Sequence, residues 1–337
     1  MGIGFAYKCF LSPTLKLHIY RTYVSPIMLS GLSSFALRSA QIEPLAIFQR
    51  KILKSILKLS LSAPTPAIHF LTGELPVEGK LHRLTLSLFY NVWINPQTKI
   101  FEIVKFLLQS SSANSRTWSI RVRNLCNKYG LEDPLEYLTR TPPSKTTWKR
   151  LVDAKIMAYH EKYLRSKSEL NSRMQYLNTN LLGLNGRPHP ATQNMQTSWE
   201  VKMSRAHLKF LSGNYLTYAL KSEQSGGSAR CRICTSNDDE TIFHVIIACT
   251  ALDESRNRIL EEFKLLCTET KNQISYDKLK ENSKNLCQFL LDPASMNLPE
   301  RVSFLDPILP QMYKLSRDLC YKLDRDRADL IQRLQLQ

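Results

Sequence analysis

Three cysteines and one histidine have the types and spacing that point most directly to chemistry. Two residues separate Cys231 from Cys234, nine lead on to His244, and four more to Cys249. Thiolate and imidazole are the protein donors zinc prefers, and four of them complete its tetrahedral shell. The two-residue gap lets both thiolates of a tight turn reach one ion, so the second pair must come from a following element. Asn237, with Glu240 three residues on, predicts a capping-box start for that element, and His244 would project from the resulting helix. Cys249 lies about 140° round from His244 on an ideal α-helix, so the helix is expected to end or unwind before it. With all four positions filled by protein, the predicted site holds one structural Zn2+ and leaves no opening for a reacting water. Two readings compete: a redox Cys-x-x-Cys, which would not need His244 and Cys249, and a chance grouping of buried thiols, which would not favour this spacing. Cys9, Cys126, Cys267, Cys287 and Cys320 are too scattered for a disulfide framework and are expected as buried, reduced thiols.

The charge is distributed unevenly. The 337 residues carry 46 Lys and Arg against 29 Asp and Glu, a formal net charge of +17. Residues 1–220 hold 29 basic and 11 acidic side chains, net +18, whereas residues 221–337 hold 17 and 18, net −1. A charge confined to one part of a chain predicts a positive surface placed against a polyanion. RNA or DNA is the leading partner, an anionic membrane surface comes second, and the bland alternative is a solvated face with no partner. The 43% apolar content supports a buried core and excludes collagen-like or wholly disordered chains. No run of about 18 apolar residues exists to span a bilayer, and Lys16, His18 and Arg21 interrupt the first 30 residues, where a signal peptide would be apolar. An intracellular protein is expected, with nucleus and cytoplasm not distinguished and no small-molecule substrate implied.

The elements that must carry these residues read as a string of amphipathic helices, so the fold class is mainly α. The first helix is expected to start at Ser12-Pro13 and stop before Pro26, burying Leu15, Ile19, Tyr23 and Ile27. A second, from about 43 to 59, would bury Leu45, Phe48, Ile52 and Ile56 and offer Arg50, Lys51, Lys54 and Lys58 to solvent, a spacing suited to a phosphate backbone. Ala63-Pro64-Thr65-Pro66 is expected to break the chain, Leu71 to Pro76 reads as a short helix ending at Gly73, and helical patterning resumes at 79–93 and 100–108, with polar linkers at 109–116 and 139–146. A long helix from about 147 to 165 aligns Trp148, Val152, Ile156, Tyr159 and Tyr163, an aromatic line more often core than base-stacking, and presents Lys149 and Arg150 elsewhere. Residues 178–197 read as a mobile loop, and a helix from 200 to 211 stops at Gly213. Asp324, Asp326 and Asp329, alternating with Arg325 and Arg327, read as a solvated charged face. The expected units are 1–62, a basic helical region 63–221, a zinc-binding module 222–268 and a helical tail 269–337.

Four stretches together resemble the carboxy-terminal part of reverse transcriptases of non-LTR, jockey-like retrotransposons. They are 11–31, the pair Phe48 to Leu57 and Phe70 to Pro76, the segment from Arg205-Ala-His-Leu-Lys-Phe-Leu-Ser-Gly213 through the Cys/His cluster to Arg256, and Phe289-Leu-Leu-Asp-Pro293. Only the zinc segment is specific. The resemblance implies a helical thumb and connection region followed by a CCHC zinc-binding domain, in a chain beginning after the polymerase palm. The family's polymerase activity requires paired palm carboxylates that hold two divalent metals. The only adjacent aspartates, Asp238 and Asp239, fall inside the proposed zinc loop, so no catalytic residue is expected. Two further readings stay open: part of a longer, active RNA-directed DNA polymerase, or a host-recruited zinc module that binds a protein partner.

Overall fold

The computed structural model describes residues 11–112, 115–269, 276–295 and 308–336. Cys9 and two residues of the 109–116 linker lie outside them. Helix after helix follows along the chain: α1 (Pro13–Ile19), α2 (Ser25–Leu29), α3 (Ser39–Leu57), α4 (Thr65–Thr72), α5 (Val77–Trp93), α6 (Lys99–Ser110), α7 (Trp118–Tyr129), α8 (Pro134–Leu138), α9 (Lys145–Glu169), α10 (Ser198–Leu211), α11 (Tyr218–Ser225), α12 (Asp253–Glu269), α13 (Tyr276–Glu281), α14 (Ser283–Leu291) and α15 (Leu309–Gln335). Among the described residues the extended pairing amounts to one isolated antiparallel bridge, Arg230 with Asp239. The mainly α expectation holds, and no helix of the described residues is long and apolar enough to cross a membrane.

Short-range signals account for most helix starts. Ser12 caps α1, Thr98 caps α6, Ser144 caps α9, and Thr197 with Glu200 forms a capping box ahead of α10. The helix predicted to stop before Pro26 instead continues: a wide π-turn, Tyr20–Val24, joins α1 to α2, and Pro26 sits in the first turn of the latter. The extra residue in that turn moves the chain off α register, where a proline ring would run into the carbonyl four residues back. The same shift undoes the predicted apolar line. Leu17, Tyr20 and Leu29 are buried, whereas Leu15, Tyr23 and Ile27 face solvent.

Two more helices turn a different face inward from the one expected. In α3 the core side is Ile42, Gln49, Leu53 and Ile56, with Phe48 exposed. Gln49 is at home there because its amide donates to Leu75 O at 3.0 Å and accepts from Val77 N at 2.7 Å. In α9 the inward line runs Trp148, Val152, Ile156, His160 and Leu164, leaving Tyr159 and Tyr163 exposed. Trp148 joins Phe89, Tyr90, Trp93 and Tyr137 in an aromatic cluster between α5 and α9.

The stretch 178–197 is irregular, as read, and hydrogen bonds join it to the core. Gly186 N and His189 N donate to Gly73 O and Leu71 O at 2.9 and 3.0 Å, and Thr14 donates to Thr192 O. Gly73 and Gly213, both with positive φ, stop their helices where a Cβ would sit 2.2 Å from Arg187 O and 1.9 Å from Arg173 O. The predicted solvated face of the last helix is also corrected: Arg327 of α15 is buried.

Polar groups inside the amino-terminal body form closed chains. Arg121 donates to His82 Nε2 at 2.6 Å, so His82 Nδ1–H donates to Tyr129 Oη at 2.5 Å, and Tyr129 donates to His160 Nε2 at 3.2 Å. Burial, then the Arg121 charge, pushes His82 down to about 2. Burial likewise lowers His69 and His160 to about 4. Buried Glu74 is held by Arg21 and Lys80, whose charges outweigh the effect of burial and keep its carboxyl below the usual range.

These histidines are neutral when folded and protonate near their ordinary value of 6.5 when unfolded. Stability is therefore present above that value and lost as the pH falls from it towards 4, because the unfolded chain binds more protons. Urea unfolding followed by Trp fluorescence should show at least ~2 kcal/mol less stability at pH 5 than at pH 7. Equal stability at the two values would contradict the buried, neutral assignment.

Candidate metal centre

A short knuckle places the first two cysteines. Cys231 N donates to Asp238 O and Glu240 N to Ala229 O, both at 2.8 Å, on either side of the Arg230–Asp239 bridge. Asn237 closes the loop with a positive φ of 63° and accepts from Arg230 at 3.0 Å. Asn is among the few non-glycine residues that tolerate this conformation. It is thus a turn residue and not the predicted helix cap. The cap is Thr241, whose Oγ1 accepts from His244 N at 3.1 Å.

The second pair comes from a wide turn, His244–Ala248, in which Cys249 N donates to His244 O at 2.7 Å. As expected, the helix ends before Cys249, whose backbone is extended. The means is an i→i+5 turn, which brings residue i+5 back over residue i where an α-helix would carry it away.

The four side chains converge. Their donor atoms all lie within 4.8 Å of one another. Cys231 Sγ and Cys249 Sγ are 4.0 Å apart, and Cys234 Sγ is 3.3 Å from His244 Nε2. Around a tetrahedral ion at ordinary zinc distances, edges of about 3.8 Å between sulfurs and about 3.5 Å between sulfur and nitrogen are required. The Cys231 and Cys249 sulfurs are too far apart for a disulfide, and all three thiols are free. This is a Cys3His cluster able to coordinate a metal ion, and its donor set fits zinc.

The electrostatics favour a cation. Burial, and then the neighbouring Cys231 and Cys234, push the Cys249 thiol up to about 12, and burial raises Cys231. Burial would raise Cys234 too, but hydrogen bonds centred on Ser236 hold it below its ordinary value. Burial lowers His244, which keeps the imidazole in the neutral form that ligates. Thiols crowded in this way give up their protons readily only when positive charge arrives among them.

Outer partners fix the ligands. Arg256 donates to Cys249 O at 2.8 Å and to Asp253 at 2.5 Å. Glu240, wholly buried, accepts from Tyr218 N at 2.7 Å and from Arg327 Nε and Nη2 at 2.8 and 2.7 Å. The bidentate pair ties the knuckle to α15, while Arg327 also lies over the rings of Tyr215 and Tyr218. Sequence reasoning missed Glu240, Thr241 and Arg327 in these roles. The only local signal was an acid inside a cysteine loop.

The six cations expected to meet nucleic acid do not all line one groove. Arg50 pairs with Glu43 at 2.6 Å, whereas Lys51, Lys54 and Lys58 line a groove shared with α10. Lys149 and Arg150 are exposed on α9 and are not among that groove's lining residues. No protein-family model, curated protein or solved structure matches the chain.

Arg327→Met strands the Glu240 carboxylate in a dry interior and should destabilise the fold by about 3–5 kcal/mol. Adding Glu240→Gln should return a large part of that loss, measured by urea unfolding of both variants. A fold indifferent to Arg327→Met would show that the pair does not hold the knuckle.

Proposed function

We propose that this chain is a non-catalytic nucleic-acid-binding protein, in which a basic helical body grips an RNA or DNA backbone and is followed by a structural zinc module. The observation that carries the reading is the segregation of charge: net +18 in residues 1–220 against −1 beyond them. Much of that excess is at the surface, with Lys51, Lys149, Arg150, Lys155 and Lys162 all exposed. Lysine and arginine on helix surfaces contact phosphates without reading bases, so binding is expected to be weakly selective.

The zinc assignment rests on four protein donors at tetrahedral spacing, which leave the metal no vacant position. Such an ion would contribute folding energy by cross-linking the knuckle at Cys231 and Cys234 to the wide turn at His244 and Cys249. The acidic loop residues Asp238 and Asp239 are exposed beside it, which suits a folding role better than phosphate contact. The resemblance to the carboxy-terminal region of jockey-like reverse transcriptases is in keeping with this arrangement. On that kinship the chain would handle the template or element RNA and leave phosphoryl transfer to residues it does not contain.

Purified, folded protein should contain one zinc per chain, and Cys231→Ser with Cys234→Ser should abolish it; folded protein without zinc would remove the metal assignment. Fluorescence anisotropy with a 20-base-pair duplex (about two helical turns) should show log K falling linearly with log[salt], by about 0.9 for each phosphate neutralised. A flat salt response would sink the nucleic-acid reading.

A further inference from the structure

The carboxy-terminal end of α3 and the last two turns of α10 face each other across a groove of about 360 Å3. One wall carries Lys51, Lys54 and Lys58, the other Arg205 and Lys209, and no carboxylate or aromatic ring is among the lining residues. The floor is fixed: Asn214, just past α10, accepts from Ser60 N and Ser60 Oγ at 3.1 and 2.9 Å and donates to Ser62 Oγ at 3.2 Å. Among the described residues, none of Lys51, Lys54, Arg205 and Lys209 has an ion-pair partner, and Arg205 Nε is buried without a hydrogen bond. Burial and the nearby Arg50 charge lower Lys54.

The carboxy-terminal ends of two helices offset part of this charge. Each contributes about half a negative unit, so Lys51, Lys54, Arg205 and Lys209 alone keep a surplus of about three. A groove with that surplus and no internal counter-charge is electrostatically incomplete. A second cleft, of about 730 Å3, differs in kind: Arg50 and Lys167 line it together with Glu43 and Glu78, so it supplies its own counter-ions.

We infer that the α3–α10 groove is the seat of a nucleic-acid backbone, with Arg205 and Lys209 as phosphate ligands opposite Lys51, Lys54 and Lys58. Lys51 to Lys58 spans about 10 Å of helix axis, a length along which one strand of a duplex sets about three phosphates. A single phosphate would use only one end of that row. With no ring to stack a base, the groove grips without reading sequence. This assignment rests on the nucleic-acid reading above and adds where the backbone lies.

The test compares three variants of the full chain with wild type, each checked for helicity and zinc content, on duplex RNA and duplex DNA across a salt series. Arg205→Gln with Lys209→Gln should weaken binding at least tenfold on both duplexes and reduce the salt slope by 1 to 2, at about 0.9 per lost phosphate contact. Arg205→Lys with Lys209→Arg, which keeps the charge, should retain the slope. Lys264→Gln with Arg333→Gln, outside the groove, should match wild type. Tripolyphosphate should fail to displace the duplex at concentrations equal to the duplex phosphate. A wild-type protein that binds no duplex would overturn the broader reading. A wild type that binds with a steep slope, combined with an unaffected Arg205→Gln/Lys209→Gln variant, would overturn the groove alone. Tight tripolyphosphate binding without duplex binding would assign the groove to a free polyanion and overturn the backbone proposal.

Discussion

A carboxylate shut away from water sets the geometry on which the carboxy-terminal half depends. Glu240 sits between Asp239, which pairs with Arg230 in the knuckle, and Thr241, which caps the turn carrying His244. Its two oxygens take both nitrogens of Arg327, a residue 87 positions further along the chain. A charge so buried is tolerable only when paired and fully hydrogen-bonded, so the chain has few ways to place Glu240. Because the two halves of the ligand set flank it, fixing Glu240 fixes the distance between the thiolate pair and the imidazole. Arg256 completes the frame by binding the carbonyl of Cys249.

What could be read from the sequence was short in range. The spacing of Cys231, Cys234, His244 and Cys249 identified the cluster because each pair is brought together by a turn only a few residues long. Caps at Ser12, Ser144 and Thr197 were legible for the same reason, since a cap bonds within three residues. Helix faces were less so. Periodicity allowed two adjacent stripes on α9, and the core took His160 and Leu164 in place of Tyr159 and Tyr163 because Tyr129 and the chain behind it supply a partner for the imidazole. On α3 the deciding group was Gln49, polar in type and core in place, satisfied by the backbone between α4 and α5. Arg327 was misread because its partner is distant in sequence and nothing near it marks it as buried. The joining of Lys51, Lys54 and Lys58 with Arg205 and Lys209 is likewise tertiary; periodicity places each set on its own helix but not one opposite the other.

The buried histidines show how far residue type alone underdetermines role. His207 of α10 donates from Nε2 to Leu291 O at 2.6 Å, linking α10 to α14. His189 accepts from Ala191 N, and its other nitrogen lies 3.3 Å from Asp292, which also accepts from Tyr313. His82 and His160 belong to a hydrogen-bonded chain between α5, α7 and α9. Each is a packing device in which at least one ring nitrogen meets a hydrogen-bond or charged partner in the core. His244 differs because its nitrogen faces sulfurs, and that difference in company is what separates a ligand from a core residue.

The wide turn from His244 to Ala248 acts as a ruler for the distance between the last two ligands. Four intervening residues suit an i→i+5 turn, whereas an ordinary α-turn would bring two side chains onto one face with three. A chain of the same design built on regular helix would therefore carry its histidine and final cysteine one residue closer together. A change of length in a surface connection away from the cluster leaves this spacing untouched. Between these two positions the residue count is itself part of the binding site.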